Sequence, residues 1–174
     1  ADLYFPVPRA DGARVPALLW IHGGGFTGGT KSEKRAVNIA TNFTARGWVV
    51  MSIDYALQKD GAPPVWPKNL HDCKTAVRWL RANAERLSID PDRIAVAGGS
   101  AGGHLAGMVA LTRPEDGLDP AGPYGGFSCA VRCGLNFYGI ADLGRWHSRL
   151  PMLGASAGED PERYRRASPI AYVR

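Results

Sequence analysis

The sequence predicts an α/β fold in which a mostly parallel sheet is flanked by helices. Apolar segments of strand length alternate along the chain with segments whose apolar residues recur at helical spacing, and this alternation is typical of parallel strands joined by helices. The chain has 174 residues, 45% of them hydrophobic and 21% charged, which suffices for one buried core. No internal repeat and no second domain is visible, so we predict a single domain over residues 1–174.

The elements follow from local patterns, taken in chain order. Apolar runs predict strands at residues 17–21, 48–53, 94–97 and 130–137. Within residues 33–46, apolar residues recur on one helical face and the pattern ends at Gly47, as in an amphipathic helix with a glycine stop. A longer stripe at alternating spacings of three and four predicts a helix over 70–87. The segments 58–67 and 113–126 lack periodicity and are predicted to be surface loops.

Ser100 lies in the motif G-G-S-A-G, between a predicted strand and a predicted helix over 103–111. A sharp strand-to-helix turn holds a serine in a strained conformation with its hydroxyl above the sheet. Gly98 and Gly102 leave room for the strand and helix to approach. The helix amino terminus directs the Ala101 amide to the same point, where it can bind an oxyanion. Chance occurrence is the alternative in a chain with 22 glycines, but the placement favours a nucleophile.

A second motif, H-G-G-G, begins at His22 and follows the first predicted central strand. Glycines in series let a loop expose its backbone amides. We expect the amides of Gly24 and Gly25 to form an oxyanion hole together with that of Ala101. The alternatives are a flexible turn and a phosphate-binding loop. The phosphate-loop spacing fails by one residue before Lys31, because the last glycine is not adjacent to the lysine.

With both motifs, the chain resembles the esterase and lipase group of the α/β-hydrolases. It is similar to bacterial acetyl-xylan and feruloyl esterases and to hormone-sensitive-lipase-like carboxylesterases. The segments that carry the resemblance are 22–25, 54–55, 72–80, 90–94, 98–103 and 168–169.

The resemblance implies hydrolysis of carboxylic esters through an acyl-enzyme on Ser100. It also implies a small-molecule or polysaccharide-linked ester substrate with a short acyl group, acetyl or feruloyl, and no metal or organic cofactor. Two alternatives stay open: a non-catalytic α/β-hydrolase-like binding protein, and a related amidase or formamidase.

The acid and the base of the expected triad are not evident. In α/β-hydrolases they follow the serine on loops after later strands, and the sequence resembles a chain that lacks the first and last strands of that sheet. Asp142 and His147 are weak candidates within the chain, while His104 is better explained as a packed or surface histidine. Residues 143–169 resemble a lid or cap segment. An uncovered strand at 131–137 is unfavourable, so we expect a longer polypeptide, a complementing chain or a domain swap to cover it.

Charge and cysteine content exclude other classes of function. The net charge is +5, but no basic stripe interleaved with aromatic residues suggests nucleic-acid binding. The three cysteines, Cys73, Cys129 and Cys133, do not have the spacing of a zinc site or of a disulfide framework. We find no signal peptide and no apolar run of membrane-spanning length, and we expect no membrane partner. The start at Ala1 also suits a processed precursor, so the compartment stays open between cytoplasm and secretion.

Overall fold

A five-stranded sheet forms the centre of the structure, a computed structural model that describes residues 1–7, 12–146 and 148–174. The strands are β1 (Asp2–Tyr4), β2 (Val15–Ile21), β3 (Val49–Ile53), β4 (Ile89–Gly99) and β5 (Cys133–Phe137). They lie in the order β1-β3-β2-β4-β5. β1 runs antiparallel to β3, and all other neighbours are parallel. The predicted mostly parallel sheet is confirmed.

Helices cover both faces of the sheet. They are α1 (Lys34–Thr44), α2 (Lys68–Ala82), α3 (Ala101–Leu111) and the short α4 (Pro161–Arg166). Because side chains alternate across a strand, Leu18 and Trp20 of β2 pack on the α1 face, while Leu19 and Ile21 join the larger core beneath α2 and α3. None of the helices in the described part of the chain is long and apolar enough to cross a membrane.

The largest differences from the predicted strand boundaries are at the starts of β4 and β5. β4 begins at Ile89, five residues earlier than expected, because Ile89 pairs with Val15 before a register shift in β2. β5 begins at Cys133, three residues later than expected: the Ala130 carbonyl accepts from the Arg81 guanidinium at 2.8 Å, while the Arg132 amide already donates to the Ile94 carbonyl of β4 at 2.7 Å. Such long-range contacts cannot be read from local hydrophobicity.

The segment 143–169 is held together by two buried side chains. The Tyr164 hydroxyl accepts a hydrogen bond from the Leu150 amide at 3.0 Å and donates to the carbonyl of Ala155 at 2.9 Å. The Ser168 hydroxyl accepts from the Leu143 amide at 2.9 Å. The segment also packs against the loop before α2, where the Trp66 amide donates to a carbonyl of the segment. Its function as a lid stays a prediction.

Candidate active site

Ser100 occupies the turn between β4 and α3 in a conformation that serine rarely adopts. Its φ is 55° and its ψ is −121°. The Ser100 amide donates to the carbonyl of Phe137 at 2.9 Å, and its carbonyl accepts from the His104 amide at 2.9 Å. Ser100 is exposed, and its hydroxyl forms no hydrogen bond with any residue in the described ranges. The backbone is therefore fixed while the hydroxyl is left free to react.

Close backbone contacts explain why glycines flank the serine. A Cβ added at Gly102 would stand 2.0 Å from the Ile21 carbonyl oxygen, and one at Gly98 would stand 2.3 Å from the carbonyl carbon of Gly102. Neither position has space for a side chain, because the neighbours are backbone atoms that cannot turn away. The start of α3 consequently lies directly against the end of β2.

The glycine-rich loop after β2 passes beside Ser100. A Cβ at Gly23 would lie 2.9 Å from the Gly99 carbonyl oxygen and 3.5 Å from the Ser100 Cβ. The next three residues all have positive φ, 117° at Gly24, 61° at Gly25 and 66° at Phe26. This turn is closed by the Gly24 carbonyl, which accepts from the amides of Thr27 and Gly28.

The three amides expected to bind an oxyanion are not consumed by the fold. In the portion of the chain that the structure describes, the N–H groups of Gly24 and Gly25 donate to no acceptor. The Ala101 amide is the first of α3, a position without an intrahelical acceptor, and it has no other partner there either. The structure thus brings the glycine loop and the helix terminus to one edge of the sheet, beside Ser100.

His22 and Tyr55 support the loop from below. The His22 ring donates from Nδ1 to the Gly23 carbonyl at 2.6 Å and stacks on Tyr55, with ring centroids 4.4 Å apart. The Tyr55 hydroxyl donates to the His22 carbonyl at 3.0 Å. Burial raises the pKa of Tyr55, so this hydroxyl keeps its proton and remains a donor.

An ion pair fixes the far end of the same loop. The Lys31 amide donates to the Asp54 carboxylate at 2.7 Å, and the Lys31 ammonium lies 3.2 Å from the other oxygen. Partial burial alone would raise the pKa of Asp54, but the hydrogen bonds and charge of Lys31 outweigh it, and the pKa is lowered. Asp54 therefore stays ionised and holds the loop at the end of β3.

Among the described residues, the side chains of His104 and Asp142 bond to backbone groups elsewhere and form no hydrogen bond with Ser100. His104 is fully buried, donates from Nδ1 to the Ile140 carbonyl at 2.9 Å and contacts Phe26 edge-on. Burial lowers the pKa of His104 to about 4. The Asp142 carboxylate accepts from the Gly144 amide at 2.9 Å and so caps a short 3₁₀ turn. His147 lies outside the described residues.

Two residues beside the serine, Arg35 and Tyr138, were not predicted from the sequence. A Cβ at Gly99 would lie 2.7 Å from the Tyr138 hydroxyl and 3.4 Å from an Arg35 guanidinium nitrogen. Both residues are exposed, one at the start of α1 and the other directly after β5. The absence of a side chain at Gly99 is the one signal in the sequence that could have indicated a neighbour there.

The side of the site beyond β5 is open. All five residues of β5 are exposed, including Leu135 at 40% and Phe137 at 42%. An apolar groove of ≈ 520 Å³ lies along it, lined in part by Ile170 and Val173.

Comparisons with known proteins agree on one relationship. The family model described as BD-FAE matches residues 1–174. Esterase LipQ of Mycobacterium tuberculosis is 31% identical over 181 residues, which cover 99% of this chain and 42% of LipQ. The probable carboxylic ester hydrolase LipM of the same organism is 32% identical over 172 residues, which cover 91% of this chain and 38% of LipM.

The structural comparison gives the same picture. Esterase 2 of Thermogutta terrifontis, in a structure with propionate bound, superposes with a TM-score of 0.79 at 27% identity, covering 99% of this chain and 61% of that esterase. The chain thus spans less than half the length of the two mycobacterial relatives and about three fifths of the Thermogutta esterase.

Proposed function

The chain belongs to the BD-FAE family of α/β-hydrolase esterases, and we propose that it builds the nucleophile side of a serine carboxylesterase site. Ser100 is the nucleophile, and the amides of Gly24, Gly25 and Ala101 form the oxyanion hole. One observation carries the proposal. Ser100 has a strained backbone and an exposed hydroxyl without a hydrogen bond, and it lies beside amides that have no acceptor among the described residues.

The chemistry proceeds in two half-reactions. The Ser100 oxygen attacks the ester carbonyl carbon while a base takes its proton, and the carbonyl oxygen becomes negative. The three amides stabilise that oxyanion, each donor contributing about 3 kcal/mol to lowering the barrier. The tetrahedral intermediate expels the alcohol, which receives the proton, and water then releases the acid from the acyl-enzyme by the same route.

We propose that the acid and base arrive on polypeptide that pairs with the free edge of β5. Because β5 is parallel to β4, its carboxyl end lies beside Ser100, where the Phe137 carbonyl accepts from the Ser100 amide. A parallel strand added at this edge would end at the same side of the sheet. The exposed β5 and the greater length of the relatives support this arrangement.

The polypeptide that pairs with β5 belongs to the same chain, to a complementing chain or to a second copy. Without a base, the serine retains only the assistance of the oxyanion hole and loses on the order of 10⁶-fold in rate.

The proposed substrates are esters with short acyl groups, either free or attached to polysaccharide. The relatives LipQ and LipM are named as an esterase and a probable carboxylic ester hydrolase. The Thermogutta esterase has been observed with propionate and with butyrate bound, both of them short acids. The acyl group of this chain's substrate is accordingly proposed to be of similar size.

The proposal is tested by hydrolysis of p-nitrophenyl acetate by the natural polypeptide that contains these residues. We expect turnover that Ser100→Ala lowers by about 10⁴- to 10⁶-fold, since removing the nucleophile of a triad has effects of this order. Ser128→Ala, at an exposed serine far along the chain, is the matched control and should keep full activity. Turnover that survives in Ser100→Ala would refute the assignment of the nucleophile.

A further inference from the structure

Arg35 and Tyr138 form a pair of hydrogen-bond donors at the carboxyl edge of the sheet. The Arg35 guanidinium donates to the Tyr138 hydroxyl at 2.5 Å and lies over its ring, 5.7 Å from the centroid. The pair is made by residues 103 positions apart in sequence, one from α1 and one from the turn after β5. The pair thus links α1 to the end of β5, and it lies beside Gly99, the last residue of β4 before Ser100.

The contacts of Gly99 show how close Arg35 and Tyr138 lie to Ser100. The guanidinium nitrogen is 3.4 Å and the phenol oxygen 2.7 Å from the point where a Gly99 side chain would begin. Gly99 directly precedes Ser100, and neighbouring Cα atoms are about 3.8 Å apart. The pair therefore lies within reach of a substituent a few bonds from the ester carbonyl, on the strand edge where α/β folds bind their ligands.

The pair also has unused donors. Arg35 has five N–H groups, and its one acceptor within the described ranges is the Tyr138 oxygen. The Tyr138 hydroxyl accepts that bond and has no acceptor for its own proton in the same ranges. No carboxylate of the described chain forms an ion pair with Arg35, whereas Arg163, Arg165 and Arg174 each have at least one such partner.

We infer that Arg35 and Tyr138 recognise a carboxylate on the ester substrate. A guanidinium binds a carboxylate through parallel N–H donors, and the phenol proton adds a third. The substrate class is then an ester that carries a negative charge near the scissile bond. The charge lies either on the acyl side, as in a dicarboxylic acid monoester, or on the alcohol side, as in a uronic acid that is acylated on a hydroxyl and keeps its carboxylate free.

This inference rests on the proposed function and is tested by substrate pairs that differ in one charge. For the acyl side, the pair is p-nitrophenyl hydrogen succinate and p-nitrophenyl butyrate, which have the same acyl length. For the alcohol side, acetylated glucuronic acid is compared with acetylated glucose by acetate release. We expect Arg35→Gln in the natural polypeptide to raise KM for the anionic member of one pair about 10-fold and to change the neutral member less than about 2-fold.

Three further variants sharpen the result. Arg35→Lys should restore part of the preference, because it keeps the charge and loses the fork. Tyr138→Phe should weaken the preference by a smaller factor, since it removes one donor. Arg46→Gln is the matched control. Arg46 bonds to Asn42 near the opposite end of α1, and its substitution changes the net charge by the same amount as Arg35→Gln. The preference for the anionic substrate over the neutral one should also fall with added salt.

Binding without turnover separates this inference from the proposed function. In Ser100→Ala, calorimetry compares monomethyl succinate with methyl butyrate for the acyl side and acetylated glucuronic acid with acetylated glucose for the alcohol side. The anionic member of one pair should bind more tightly than its neutral counterpart, and Arg35→Gln should remove the difference. Hydrolysis of neutral esters with no effect of Arg35→Gln on either charged substrate would overturn the inference and leave the esterase intact. An equal loss on charged and neutral substrates would also overturn it, since it would show a general structural role. Absent ester hydrolysis would count against the proposed function, while the calorimetry still decides the inference.

Discussion

The two sides of Ser100 are built in opposite ways. Toward β2, backbone lies against backbone: Gly102 faces the Ile21 carbonyl and Gly23 faces the Gly99 carbonyl with no space for a methyl group. Toward β5, the strand is exposed along its whole length, and Leu135 and Phe137 face solvent. The packed side carries the proposed nucleophile, Ser100, and the free amides, and the open side carries no acid or base in the described residues.

This difference indicates how the site divides its tasks. An oxyanion hole is effective because its donors are fixed before the reaction and need no reorganisation. The loop after β2 meets that requirement through the Tyr55 hydroxyl, the His22 ring and the ion pair of Lys31 with Asp54. We therefore propose that the packed side is complete within this chain, and that the open side gains its acid and base only when β5 is covered.

The largest expected effect comes from placing a methyl group on the packed side. Gly102→Ala would put a Cβ 2.0 Å from the Ile21 carbonyl oxygen. Since neither backbone can move without opening the sheet, we expect a loss of about 3 kcal/mol or more in the free energy of unfolding, measured in urea. Gly122→Ala is the control, because a Cβ there meets nothing within 4 Å. Similar stabilities of the two variants would contradict the close packing.

A smaller effect is expected from the pH dependence of stability. His104 is buried beneath the turn with a pKa lowered to about 4. In the unfolded chain its pKa is about 6.5, so on acidification the unfolded state takes up the proton first and stability falls. Between about pH 7 and about pH 5 this residue should cost the fold about 2 kcal/mol, measured by urea unfolding.

His104→Asn serves as the test variant, because asparagine keeps a donor for the Ile140 carbonyl and does not titrate. The slope over this pH range should shrink in His104→Asn. The pKa of His71 is also lowered, chiefly by partial burial. His71→Asn should therefore remove a smaller part of the pH dependence of stability. An unchanged slope in His104→Asn would show that the imidazole is not held neutral.

The packed side was predictable from sequence because its signals are local. The G-G-S-A-G and H-G-G-G motifs each lie within a few residues, and their placement after strands predicts both turns. The Arg35–Tyr138 pair was not predictable, because its members are 103 residues apart and meet only through the sheet order. The early start of β4 was likewise not predictable, because it depends on the pairing of Ile89 with Val15 across a register shift.

The smallest effect on stability, and the sharpest contrast with Gly102, is expected on the open side. Leu135→Lys should change the unfolding free energy of this chain by no more than about 0.5 kcal/mol, because Leu135 is already 40% exposed. It should nevertheless reduce concentration-dependent association, measured by light scattering, since a charge on a free strand opposes edge-to-edge pairing. Val37→Lys, at a 42% exposed residue of α1, should leave association unchanged. If both variants behaved alike, the free edge of β5 would not be the surface through which the chain associates.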